Sequence, residues 1–291
     1  MAEQIRIANA ALGAVIDPLG AELQSLTDTA GRELLTDADP AFWTGHAPLL
    51  FPIVGALANG EYRLADGRRF AMPQHGFARR LEWAPIAHQP GRAAFRLIDS
   101  PATRAIYPFP FILDTVYALD GATLSVEVTL ANPGEAPLPA SIGFHPAFAW
   151  PLPGGGDRED HRITFAADEG PFVHRVVDAL IGPADSPTPL DGRTLALRDD
   201  LFTRDALVWC DVKSGAVRYG ASTGPQLDIA FPGAPSLGIW TRPGARFVCV
   251  EPWWGHADPA GYDGAFEDKP GMMLLAPGDT RSVAMRVTLV S

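Results

Sequence analysis

Glycine and proline break this chain into short runs in which polar and apolar residues alternate; there are 29 Gly and 28 Pro among 291 residues. The clearest run is "TLSVEVTLAN", where Leu124, Val126, Val128 and Leu130 alternate with Ser125, Glu127 and Thr129. A period of two puts the apolar set on one face of a strand and the polar set on the other. Comparable runs recur from "IRIAN" and "LGAVIDP" to "QLDIAFPG", "SLGIWTRPG", "FVCVEPW" and "SVAMRVTLV". "LADGRRF" and "ALDGATL" place an Asp-Gly pair where a tight hairpin turn belongs. Many short strands separated by turn residues imply a large antiparallel β-sandwich or barrel. Few windows suit a helix, and those that do are weak, such as "DDLFTRDA", residues 199–206. "PLPGGGDRED" (151–160) and "IGPADSPTPLDG" (181–192) are expected to be surface loops. No low-complexity linker or fixed-period repeat divides the chain, so one all-β domain over residues 1–291 is expected.

Composition narrows the partners. Hydrophobic residues make up 47% and charged residues 20%, enough for a substantial core. A net charge of −11 argues against nucleic acid and anionic membranes, which need concentrated Lys and Arg. An anionic small molecule remains compatible, because a local arginine outweighs the global sign. Cys210 and Cys249 lie in apolar runs without metal-ligand spacing, and are expected to be buried free thiols. No basic segment followed by an apolar run opens the sequence, and no stretch approaches the ~20 apolar residues of a membrane helix. A soluble cytoplasmic protein is expected.

Four segments bring a polar group into aromatic or glycine-rich surroundings. They are "MPQHGFARRLEW" with His75, Gly76 and Arg79, "GFHPAFAW" with His145, "LFTRDALVW" with Asp205, and "FVCVEPWWGHADP" with Glu251, Trp253, Trp254 and Asp258. His145 and Glu251 each end an apolar run and precede a proline, which favours extended backbone and weakens sheet pairing. Both are therefore expected at strand ends facing a cleft. Burial raises the pKa of a carboxyl and lowers that of an imidazole, so the two suit general acid–base chemistry near neutral pH. From the residues alone, each also fits a hydrogen-bonded structural role. Asp205 equally fits a turn or helix cap. The Trp253–Trp254 pair suits either a core or the apolar face of a sugar ring. No HxH, HxxxH or HExxH spacing supports a metal centre, and no GxSxG elbow or phosphate-binding loop is present.

Taken together, these segments resemble the aldose 1-epimerase (galactose mutarotase-like) family, especially its LacX-like branch. The resemblance is carried by "APLLFPIVG" (47–55), "MPQHGFAR" (72–79), "GFHPAFAW" (143–150), "DAL" (205–207), "GIWT" (238–241), "EPWWGHAD" (251–258) and "KPGMMLLAPGDT" (269–280), in family order along most of the chain. It implies a large β-sandwich, a small-molecule sugar substrate and interconversion of α and β anomers with neither cofactor nor metal. It further implies that His145 protonates the ring oxygen and Glu251 takes the proton from the anomeric hydroxyl. His75 would then polarise the anomeric region, and Arg79, Asp205 and Trp253 would bind substrate. One departure stands out: relatives commonly carry arginine after "FPIVG", and this chain has Ala56. Arg79 or Arg242 is the candidate to compensate. A sugar-binding module on the same sandwich is the alternative reading, since fold does not fix function. A glycoside hydrolase using Asp205 and Glu251 ranks below both. A monomer or homodimer is expected.

Overall fold

The computed structural model describes residues 3–290. Two nine-stranded sheets dominate it, and every strand pair within them is antiparallel. The first runs in the order 194–196, 162–165, 216–220, 226–230, 280–290, 123–131, 112–120, 92–98 and 84–89. The second runs 180–181, 172–177, 207–209, 236–240, 247–254, 142–144 and 49–50, with 147–149 also paired to 247–254 and 186–187 to 172–177. A three-stranded sheet (5–8, 12–17, 22–28) joins them.

The alternation in 123–131 survives unchanged. Leu124, Val126, Val128 and Leu130 are buried, while Glu127 faces solvent. Their apolar face belongs to one continuous core with Leu237, Ile239, Val248 and Val250 of the second sheet. The fold is thus the all-β antiparallel sandwich that the pattern implies. Asp120-Gly121 turns the hairpin between 112–120 and 123–131.

Several local readings are corrected. The α-helix is not at 199–206, where only a 3-10 turn spans Asp199–Phe202; it is Pro101–Ile106. Its signal is "SPAT": the Ser100 hydroxyl accepts the Thr103 N–H, the Thr103 hydroxyl accepts the Ser100 N–H, and Pro101 opens the first turn. The strand Ala84–Gln89 escaped notice because it is an edge strand exposed on both faces, so burial imposes no alternation. In the 181–192 loop, Ser186–Pro187 forms a short pairing with Phe172–Val173.

The last correction positions the site. Glu251 is not at a strand end but within the eight-residue strand Phe247–Trp254, and Pro252 pairs with Leu237 inside it. Val250 donates its N–H to the Pro146 carbonyl. Residues two apart direct their backbone groups to the same edge, so the missing donor of Pro252 faces that edge too. There the neighbouring strand is interrupted at His145-Pro146, between 142–144 and 147–149. The same register sets Pro252 opposite Phe144, the last residue before the interruption, so its missing donor costs one ladder hydrogen bond at a point where pairing already breaks.

Because the 123–131 strand presents one face to the core, Leu124→Ala should lower unfolding free energy by about 3 kcal/mol. Glu127→Ala should change it by less than about 0.5 kcal/mol. Urea denaturation of both variants checks the assignment of faces.

Candidate active site

The strand register brings the acid and base candidates together. Gly143 lies opposite Trp253 and Ala147 opposite Cys249, so the intervening His145 falls opposite Glu251. His145 Nε2 stands 3.3 Å from Glu251 Oε2. Both are buried, at 7% and 2% exposure, yet both line a cleft of about 440 Å³. His75, Arg79, Asp205, Trp253 and Arg242 line the same cleft. His145, Glu251, His75, Arg79, Asp205 and Trp253 therefore converge on one cavity, whereas Trp254 packs in the core and Asp258 lies outside the cleft.

Period two explains which aromatics take part. Along Phe247–Trp254, Val248, Val250 and Trp254 belong to the core between the sheets, while Cys249, Glu251 and Trp253 turn the other way. Phe144, Phe148 and Trp150 beside His145 are core residues and do not line the cleft. The aromatic walls are Trp43, Trp240 and Trp253. Trp253 has room because Gly143 opposite it on one side and Gly238 diagonal to it on the other carry no side chain. A Cβ at Gly238 would come within 2.5 Å of the indole, and one at Gly143 within 2.9 Å.

His75 is held by an unusual backbone. Its φ is 64° and that of Gly76 is 70°, and a Cβ on Gly76 would lie 2.2 Å from the Phe51 carbonyl oxygen. Left-handed conformation in a non-glycine residue costs roughly 1–3 kcal/mol and clusters at functional sites. The His75 N–H donates to the Gly55 carbonyl at 2.8 Å, and Gly55 N–H donates to His75 Nδ1 at 3.1 Å. Burial, helped by the nearby His145 and Arg79, holds the His75 pKa well below its usual range. The ring is therefore neutral, with Nδ1 accepting and Nε2–H free to donate. Asp205 is also left-handed, at φ 64°, and sits exposed at the cleft rim with its Oδ1 accepting the Ala206 N–H.

Burial also drives the electrostatics of the central pair. It pushes the Glu251 pKa well above the usual carboxylate range; the Asp205 charge adds to the rise, and the Trp253 indole N–H opposes it. That N–H lies beside the carboxylate without forming a well-aligned hydrogen bond. His145 is pushed down to about 3, chiefly by burial, with its own carbonyl opposing and Arg79 contributing. Both directions favour the neutral form of each group, carboxyl plus imidazole, whose tautomer with the proton moved across is carboxylate plus imidazolium. Trp43 stacks on the His145 ring at 4.8 Å and 26°, and Trp240 meets it edge-on at 5.8 Å. An aromatic face over an imidazolium favours the charged tautomer by about 1–2 kcal/mol.

The rest of "EPWWGHAD" and the start of "KPGMM" are structural. Lys269 Nζ lies 3.6 Å from Asp258 Oδ1 and donates to the His256 carbonyl at 3.0 Å. Asp258 Oδ2 accepts the Ala58 N–H at 2.9 Å, tying the segment after "FPIVG" to the strand that carries Glu251. Burial lowers the Lys269 pKa to about 8, against the opposing pull of Asp258. Ala56 is outside the cleft, in an adjoining depression, and its carbonyl accepts the Asp258 N–H. Arg79 and Arg242 are the guanidinium groups that line the cleft itself, and Arg79 Nε is buried without a partner.

Sequence reasoning missed Trp43 and Trp240. Trp240 had a signal, since it stands two residues from Gly238 on a strand and so shares its face. Trp43 had none, because it reaches the site from a distant loop. Cys249 is a buried free thiol as expected, but Cys210 is only half-buried.

The aldose 1-epimerase family model matches residues 3–288. The chain is 31% identical to the chromosomal LacX protein of Lactococcus lactis subsp. lactis over 297 residues, covering 99% of each. A galactose mutarotase related enzyme from Lactobacillus acidophilus superimposes with a TM-score of 0.93 at 32% identity, covering 99% of this chain and 98% of that one. A galactose mutarotase-like protein from Lactobacillus casei gives a TM-score of 0.92 at 28% identity, covering 99% and 100%. The chain belongs to the aldose 1-epimerase family, and its sandwich is the galactose mutarotase-like fold.

The depressed histidines predict a pH dependence of stability. The unfolded chain binds protons at His75 and His145 near pH 6.5, whereas the folded chain binds that of His145 only near pH 3. Each histidine therefore contributes a loss of stability as pH drops through this window, by up to about 1.4 kcal/mol per pH unit, while Glu251, whose folded pKa is raised, contributes in the opposite direction above its unfolded pKa. Denaturation from pH 7 to 3.5 should show a shallower loss for His145→Gln than for the parent.

Proposed function

We propose that this protein is a cofactor-independent mutarotase that interconverts the α and β anomers of a free or modified aldose. The observation that carries the reading is the buried contact between His145 and Glu251 at the floor of an aromatic-walled cleft. In mutarotation the two oxygens that exchange protons, the ring oxygen and the anomeric hydroxyl, are bonded to the same carbon. Acid and base must then stand side by side, as these do.

The proton count also fits. In the imidazolium–carboxylate tautomer, His145 gives its proton to the ring oxygen while Glu251 takes the anomeric hydroxyl proton. The bond between C1 and the ring oxygen breaks, leaving the open-chain aldehyde. His145 is now neutral and Glu251 protonated, which is the tautomer that burial favours. After rotation about C1–C2 the ring oxygen attacks the opposite face of C1. It returns its proton to His145, and Glu251 reprotonates the new hydroxyl. No net proton enters or leaves, so the cleft needs no exchange with solvent during a turnover. His75 donates from Nε2–H to an oxygen near the anomeric centre, Trp253 offers an apolar face to the sugar ring, and Arg79 and Asp205 hold hydroxyls or a substituent.

NMR exchange spectroscopy on a panel of aldoses and acidic sugar derivatives tests this. The parent should accelerate anomer exchange, and His145→Ala and Glu251→Gln should each lower kcat at least about 100-fold. Trp43→Leu should lower kcat/KM roughly tenfold by removing the aromatic face from the imidazolium. Sugar binding with no accelerated exchange in the parent would instead make the protein a binding module.

A further inference from the structure

The Glu251 strand carries one more reactive group that the proposed reaction does not use. Cys249 is two residues from Glu251 on the same strand face, and its register partner Ala147 is two residues from His145. One ligand atom from each of His145, Cys249 and Glu251 can be chosen so that all lie within 4.8 Å of one another, and all three residues are buried. We propose that these three side chains form a binding site for a thiophilic divalent cation of the zinc class, which closes the floor of the cleft and blocks the acid–base pair.

The geometry suits such an ion. Zinc binds imidazole and carboxylate at about 2.0–2.1 Å and thiolate at about 2.3 Å, so a tetrahedral edge between nitrogen and oxygen measures roughly 3.3 Å. The His145–Glu251 separation of 3.3 Å already has that length. The thiolate has to close in by side-chain rotation alone, since Cys249 and Glu251 share a rigid strand. One sulfur, one nitrogen and one oxygen ligand exclude the harder cations, which take all-oxygen shells, and favour zinc, cobalt and cadmium. His145 and Glu251 line the cleft while Cys249 lies behind them, so the fourth coordination position faces the cavity and stays open to water or a sugar hydroxyl. Trp43, Trp240 and Phe247 pack around the sulfur side and keep water from it. A dry apolar shell of this kind strengthens metal–ligand bonds. On binding, the thiol and carboxyl protons leave to solvent, and the imidazole coordinates as the neutral ring.

Cobalt is the probe, because it reports its ligands directly. Titrating Co²⁺ into the metal-free parent should produce a near-ultraviolet thiolate charge-transfer band and tetrahedral visible bands, both displaced by Zn²⁺. Cys249→Ala should abolish the charge-transfer band, while Cys210→Ala should leave it unchanged. In metal-free buffer Cys249→Ala should retain the parent's anomer exchange, and it should raise the zinc concentration for half-inhibition at least about tenfold. Glu251→Gln provides a second variant, expected to weaken the band without touching the thiol. Absence of the band at millimolar Co²⁺, or its persistence in Cys249→Ala, would overturn the proposal. Because binding is read by absorbance, the outcome is separable from whether the parent catalyses anomer exchange at all.

Discussion

A carboxyl and an imidazole 3.3 Å apart, both taken out of water, are the constraint around which the structure is arranged. Burying either group alone in charged form would be strongly unfavourable. Burying them together is tolerable because they share one proton and can remain neutral as a pair. That condition dictates the surroundings. The strand beneath must be rigid, the walls must exclude water, and the two backbones must sit in register so that neither side chain can swing away.

The Glu251 strand meets these demands by being buried along its whole length. One face joins the sandwich core through Val248, Val250 and Trp254, and the other forms the cleft floor. Glycines at 143 and 238 make space for Trp253 beside the carboxylate. Past the strand, the buried Lys269–Asp258 pair and the Asp258 bond to Ala58 N–H anchor its exit to the segment from which Gly55 orients His75. A buried ion pair adds little net stability but is costly to break, so it holds these segments in one arrangement. The backbone strain at His75 is borne by this same framework.

Much of the site was legible in the chain because it lies on strands, where alternation tells one face from the other. Trp253 and Trp254 are the clear case: adjacent in sequence, they point to the cleft and to the core. The proline signal was sound for His145, which does interrupt a strand, and misleading for Glu251. Pro252 lies in mid-strand, where its missing donor falls opposite the end of 142–144, beside the interruption at His145 and Pro146. A proline's effect depends on the neighbouring strand, and one segment read by itself does not contain that neighbour.

The amino-acid order alone determined the all-β class, the core face of strands such as 123–131, and the residue types able to do acid–base chemistry, together with the family whose motifs they follow. These are local properties, set by side-chain periodicity and turn residues. Tertiary structure alone decided the pairing of His145 with Glu251, the neutrality that burial imposes on them, the arrival of Trp43 over the imidazole, and the presence of Cys249 behind the pair. Each depends on register between strands separated by about a hundred residues or on a distant loop, and only packing brings such groups together and removes them from water.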